Sequence, residues 1–154
     1  MMRTTILLLV IIHVVAGQKT YFIPNLKVNW YKAYEFCLSM NQRLATIENK
    51  AENDALIELV KNSDKYGSYI RFWVGASDLA EEGTFTWTSS RKPLTCAAWC
   101  PTEPNNKDGN ENCLELLHNS EWEGTGIWCW NDNVCEFEAY FICESHPTLP
   151  LNNC

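Results

Sequence analysis

EPNNKDGNENC, residues 103–113, holds two glutamates, one aspartate and four asparagines, broken only by Pro104, Lys107, Gly109 and Cys113. Carboxylates and amide carbonyls are hard oxygen donors, and a calcium ion takes roughly six to eight of them with tolerant geometry. Asn, Asp and Gly are also the residues of an ordinary solvated turn. Composition alone leaves both readings open. About 20 residues beyond Glu111, WND at 130–132 adds two oxygen-bearing side chains, Asn131 and Asp132, on a segment that reads as a strand. Pro104 bears on the cation reading: a cis bond there would let the turn aim Glu103 and Asn105 the same way.

The rest of the chain sets the context for that loop. With 154 residues there is room for one domain and a modest core. The opening MMRTTILLLVIIHVVAGQ places Arg3 before an apolar run from Ile6 to Ile12 and ends in the small residues Ala16 and Gly17. That run is too short to span a bilayer and has the layout of a secretory signal, so residues 1–17 are set apart as a leader. The expected product is a secreted, extracellular protein with no membrane insertion. Eight cysteines suit that oxidising route. A formal charge of −7 argues against a nucleic-acid partner and is compatible with cation binding.

Two helices are expected first. Asn29 precedes WYKAYEFCLSM, whose apolar residues Trp30, Ala33, Tyr34, Cys37 and Leu38 fall at helical spacing. Asn49 followed by Glu52 resembles a capping box, with Ala55, Leu56, Leu59 and Val60 as the apolar face beyond and Asn62 and Ser63 as terminators. After about residue 70 the pattern turns to strands: RFWVGAS, TFTWTS, CLELL, IWCWN and FEAYFICE, separated by turn residues. YFIP at 21–24 is a short β-like opening. Helices followed by strands indicate an α+β domain. Between Lys92 and Asn112 there is little strand pattern, and so long a loop is usually functional or disordered. The tail HPTLPLNNC reads as extended.

Taken in order, Trp30 and Ala33 before Cys37, LATIE (44–48), FWVG (72–75), GTFTW (83–87), Trp99 before EPN, ENC (111–113), WND, Cys135 and Cys143 resemble a C-type lectin domain from about Tyr21 to Glu144. The resemblance implies a lectin-like α+β fold of two helices packed on short antiparallel strands, with a long calcium-binding loop region braced by disulfides. It sets a carbohydrate-recognition domain at 18–147 and a C-terminal tail at 148–154. It also implies one calcium held by Glu103, Asn105, Glu111, Asn131 and Asp132, with sugar hydroxyls bound by Glu103, Asn105, Glu111 and Asn131. A carboxylate accepts and an amide can also donate, so such pairs grip both sides of a hydroxyl. EPN resembles the mannose-type variant, pointing to mannose, fucose or N-acetylglucosamine; galactose, which accompanies QPD, stays open. Lys107 stands where galactose binders often carry an aromatic. A second calcium site of the family would use Asp78, Glu82, Asn106 and Asn112, with two amides where acids are usual. The pairings implied are Cys37–Cys143 and Cys113–Cys135. Cys96, Cys100, Cys129 and Cys154 then allow three arrangements. A 100–129 bridge would clamp the EPN and WND halves together, leaving Cys96 to reach Cys154, or Cys154 to join two chains.

Other classes have less support. CAAWC at 96–100 could be read as a zinc motif, but a secreted chain with partners available favours disulfides. Glu103 and Glu111 could be read as a glycosidase pair, yet their neighbours are those of metal ligands. His118 and His146 lack a recognisable catalytic partner and read as surface histidines, and no enzyme activity is expected. Trp122 and Trp128 are candidates to stack on a second sugar, with packing the commoner role. A single small sugar contact gives affinity on the order of millimolar, so copies displayed together would be needed for avidity. The expected partner is a repetitive glycan on a microbial or cell surface. The alternative is a lectin-like module that binds a polypeptide, since fold does not fix function.

Overall fold

Two asparagines open the two helices. In helix α1, Trp30–Ser39, Asn29 Oδ1 accepts the Lys32 N–H at 2.9 Å. In α2, Lys50–Lys61, Asn49 Oδ1 accepts the Glu52 N–H at 3.0 Å. Each satisfies one of the donors that a helix start leaves unpaired. The return arm of the second cap differs from the expected box: Glu52 Oε2 takes the Glu48 N–H at 2.8 Å, one residue before Asn49. It also takes the Lys19 ammonium at 2.9 Å, and so ties the start of α2 to the chain ahead of the first strand.

The computed structural model describes residues 19–95, 97–121 and 126–145. The leader expected over 1–17, with His13, the tail expected over 148–154, Cys96, Trp122, His146 and Cys154 lie outside the described residues. The helices are embedded among eight strands: β1 Tyr21–Phe22, β2 Gln42–Leu44, β3 Tyr69–Ser77, β4 Thr86–Trp87, β5 Glu111–Asn119, β6 Ile127–Val134, β7 Tyr140–Phe141 and β8 Cys143–Ser145. A three-stranded sheet has the order β1-β8-β2, and a larger one runs β4-β3-β5-β6. These pairings are antiparallel, as the resemblance implied. β7 departs from that expectation by adding to β3 in parallel, Phe72 opposite Tyr140. β3, β5 and β6 are also longer than the short strands anticipated, at 9, 9 and 8 residues.

β3 is buried on both faces, which is why Phe72, Trp73 and Val74 follow one another without alternation. Phe72 and Val74 join Leu114, Leu116, Trp130 and the α2 residues Leu56 and Val60. Trp73 faces the other way, toward Trp30, Ala33 and Cys37 of α1, with Phe141. Leu38 was expected on the buried face of α1 and is 50% exposed. Ala55, expected on the face of α2, is exposed as well. In both helices the buried stripe is narrower than the run of apolar residues suggests, because each packs on the domain along one edge. Three buried indoles donate their N–H to an acceptor: Trp30 to Val74 O at 2.9 Å, Trp73 to Val28 O at 3.2 Å, and Trp130 to Asn53 Oδ1 at 3.1 Å.

Covalent bonds and one buried carboxylate tie segments remote in the chain to each other. Cys37–Cys143 ties α1 to β8, and Cys113–Cys135 links β5 to the segment after β6. Glu144, wholly buried on β8, accepts from Thr46 N and Thr46 Oγ1, both at 2.9 Å, and pairs with Arg43 Nε of β2. A charge in that position is tolerable because donors surround it.

Gly75 marks the closest approach of β3 to the chain after β2. Its N–H donates to Ala45 O at 2.8 Å, and a Cβ there would lie 2.8 Å from Leu44 O and 3.2 Å from Ala45 O. Gly75→Ala is therefore expected to destabilise the domain by about 1–3 kcal/mol through overpacking against backbone, read as a lower urea midpoint with an unchanged m-value.

Candidate functional site

Among the described residues between Thr88 and Asn110 there is no regular strand pairing beyond isolated bridges, and a turn of 3-10 helix occupies Lys107–Gly109. Its shape is imposed from outside. Trp99 bridges Trp130 in parallel, with Cys100 N donating to Trp130 O at 2.8 Å and Trp130 N to Ala98 O at 2.7 Å. Cys100–Cys129 bonds the same segment to β6. This is the bridge considered from the positions of EPN and WND; its counterpart between Cys96 and Cys154 lies outside the described residues.

The Glu103–Pro104 peptide is cis. Glu103 and Asn105 turn to the same side, with Asn105 Nδ2 donating to Glu103 Oε1 at 2.9 Å. Asp132 on β6, 1% exposed, accepts the Asn105 N–H at 3.2 Å through Oδ1 and the Asn106 N–H at 2.8 Å through Oδ2. The loop then turns back. Asn106, Asp108 and Gly109 all take positive φ, a conformation these residue types tolerate. Lys107 N–H donates to Glu111 Oε2 at 3.1 Å, and Asn106 Oδ1 accepts the Glu111 N–H at 3.1 Å. The loop's polar residues thus divide between the two readings. Asn106, Asp108 and Gly109 build the turn, while Glu103, Asn105 and Glu111 gather with Asp132.

Electrostatics mark the gathered set. Glu103 is pushed up to about 7, first by burial and then by the Asp132 carboxylate and, more weakly, Glu111. Glu111 is raised too, mainly by burial and partly by Asp132, against the opposing hydrogen bond from Lys107 N. Glu103 Oε2 is buried with no hydrogen-bond donor among the described residues. An acceptor in that position, beside other carboxylates, is a place for a proton or a cation. Among the described residues no three His, Cys, Asp or Glu side chains stand close enough to hold a metal by themselves. A cation here would also draw on the amide carbonyls of Asn105 and Asn131, a mixed oxygen set that fits a hard dication such as calcium.

Asn131 is followed directly by Asp132 on β6, and its amide is held from the sheet. Nδ2 donates to Glu115 Oε1 at 2.9 Å and to Asp132 O at 2.6 Å. Glu115, in the middle of β5 and wholly buried, was not singled out from the sequence. The available signal was a charge inside the strand CLELL. Burial raises its carboxyl, opposed by Arg71 and by the amides of Asn133 and Asn131.

The second expected set is less assembled. Asp78 is 2% exposed, accepts the Gly83 N–H at 2.8 Å through Oδ2, and has Oδ1 buried without a donor among the described residues. Its own N–H donates to Asn112 O at 3.1 Å. Glu82 is exposed, and Asn106 Oδ1 is already engaged by Glu111.

His118 is a correction to the surface reading: it is 4% exposed, stacked on Trp128 at 4.6 Å and on Tyr66 at 5.4 Å, with Nδ1 3.1 Å from Ile127 O. Trp128 therefore packs at the opposite end of β6 from Val134, its ring occupied by His118. Its partner in that expectation, Trp122, lies outside the described residues.

Comparisons with known proteins agree with this architecture. The family model of the lectin C-type domain matches residues 26–145. The C-type lectin mosGCTL-7 of Aedes aegypti is 43% identical over 149 residues, covering 96% of this chain and 97% of that relative. Salivary C-type lectin 2 of Aedes albopictus is 35% identical over 129 residues, 83% of this chain and 84% of that one. The C-type carbohydrate-recognition domain of cow CD23, solved in the presence of GlcNAc2Man3 oligosaccharide, matches with a TM-score of 0.67 and 30% identity, covering 85% of this chain and 90% of that one. By sequence, fold and disulfide framework alike, the chain belongs to the C-type lectin domain family.

Proposed function

We propose that the protein is a secreted lectin that binds carbohydrate through one calcium ion held by Glu103, Asn105, Glu111, Asn131 and Asp132. The observation that carries the reading is Glu103 Oε2, buried with no donor among the described residues, on a carboxyl that burial and the neighbouring Asp132 and Glu111 raise. When bound, calcium supplies the dication that this set lacks and takes hydroxyl oxygens as further ligands.

The chain's own residues do the rest. Glu103 and Asn105 present an acceptor and a donor that satisfy each other at 2.9 Å. A sugar hydroxyl that donates to Glu103 and accepts from Asn105 replaces that bond without leaving either group unpaired. Glu111 offers a second carboxylate, its Oε2 steadied by Lys107 N. Asp132 holds Asn105 and Asn106 to the sheet, so the pair is oriented before any ligand arrives. The second set, Asp78, Glu82, Asn106 and Asn112, is the weaker cation site, with two amides and one of them already bonded to Glu111.

The EPN sequence favours mannose, fucose or N-acetylglucosamine, and the oligosaccharide named with the CD23 domain belongs to the same classes. Secretion is supported by the leader-like start and by the salivary relative. Repetitive glycans on microbial or cell surfaces are the targets this weak, single-site chemistry suits, with several copies acting together.

A glycan array with the mature protein tests the reading. Binding to mannose, fucose or N-acetylglucosamine that needs calcium and disappears with chelator is expected, and Asn105→Asp should abolish or redirect it. A galactose signal would retain the mechanism and change the sugar. Silence from folded, multivalently displayed protein would shift the reading to a polypeptide partner.

Acidity should oppose the ion. Glu103's raised carboxyl, near 7, must lose its proton to act as a ligand. Calcium affinity is therefore expected to be full above that value and to fall by about tenfold per pH unit below it, measured by titration calorimetry with proton release in two buffers.

A further inference from the structure

We infer that Glu115 is a positioning residue for the cation site, its buried carboxylate fixing which end of the Asn131 amide is left for an ion. The inference rests on the reading of Asn131 as a calcium ligand. Glu115 and Asn131 are register partners across β5 and β6. The Glu115 side chain is wholly buried, with Oε1 accepting Asn131 Nδ2 at 2.9 Å and Oε2 accepting Asn133 Nδ2 at 3.1 Å. Arg71 Nε stands 3.8 Å from Oε1 and balances the charge.

Both Glu115 oxygens are used as acceptors, so the side chain discriminates between the two ends of an amide that are otherwise the same shape. Turned over, Asn131 would set its carbonyl oxygen against Glu115 Oε1. In the observed orientation Nδ2 spends its second hydrogen on Asp132 O at 2.6 Å. The carbonyl oxygen is then the coordinating atom that remains. A buried charge in mid-strand carries a desolvation cost that an apolar residue would not. The two amide donors to Glu115 come from β6 and its ion-pair partner Arg71 from β3, and one of the donors is a candidate ligand. Outer partners of metal ligands typically change metal affinity by about 10–100-fold when removed.

The experiment uses the full mature chain. In calcium-free wild type, the Asn131 side-chain amide protons should be protected from exchange and shifted by the carboxylate; rapid exchange would overturn the inference. Glu115→Gln, which replaces an acceptor with an amide, should weaken calcium binding by about 10–100-fold in calorimetry at a temperature where near-UV circular dichroism shows the variant folded. The double variant Glu115→Gln with Asn131→Asp reverses donor and acceptor across the strands, and it should bind calcium more tightly than Asn131→Asp alone, in which two carboxylates face each other. A folded Glu115→Gln with wild-type calcium affinity, even if it melts earlier in chelator, would reduce Glu115 to a structural role and overturn the proposal. Should Glu115→Gln not fold, the wild-type exchange measurement decides alone. A wild type that binds no calcium would remove the calcium reading and the positioning role together, whereas wild-type binding with an indifferent Glu115→Gln removes the positioning role alone.

Discussion

Everything distinctive about this domain hangs on the Asp132 carboxylate and the two backbone N–H groups it accepts. The chain from Thr88 to Asn110 makes little pairing of its own, so it cannot define its own shape. Asp132 is nearly fully buried on β6, and its two oxygens take Asn105 and Asn106 in turn. Hydrogen bonds to an ionised acceptor are stronger than neutral ones, and two to one carboxylate fix direction as well as distance. Trp99 and the Cys100–Cys129 bond secure the segment ahead of it. The Glu103–Asn105 pair is thereby carried on the sheet instead of moving with a free loop.

The same solution recurs inside the fold. Glu115 and Glu144 are wholly buried, and each is held by partners from other segments: the Asn131 and Asn133 amides with the Arg71 charge for the first, Arg43 and Thr46 for the second. Removing one partner of such a group leaves a buried charge unpaired, which is far costlier than the bond is worth. These carboxylates therefore specify how strands meet, while the apolar faces of β3 supply most of the driving force. Glu144 serves the joining of β8 to β2 and Thr46, and Glu115 serves the sheet beneath the loop. Asp132 serves the loop itself.

Fold and function separate cleanly along that line. The local chemistry of this chain lies in Glu103, Asn105, Glu111 and Asp132: a carboxylate set, a donor and acceptor pair, and a buried oxygen with no donor among the described residues. Function resides in those atoms and not in the fold that carries them.

Much of this was legible in the linear chain wherever physics is local. Helix starts at Asn29 and Asn49, strands in RFWVGAS and CLELL, and an irregular loop before ENC follow from capping, periodicity and turn chemistry. Resemblance supplied the Cys37–Cys143 and Cys113–Cys135 pairs. What eluded the sequence was burial set by distant partners. Leu38 has the right spacing for a core face and stays half exposed, because α1 meets the sheet through Trp30, Ala33 and Cys37. His118 looks like a surface residue and is stacked beneath Tyr66 and Trp128. Glu115 is one letter in a strand until β6 brings Asn131 opposite it. By itself the sequence determined the elements, the family and the oxygen-rich residue types, since these depend on neighbours a few positions apart. Only the tertiary structure decided which of those oxygens are spent on turns and which face one another, because that choice is made by hydrogen bonds between strands remote in the chain.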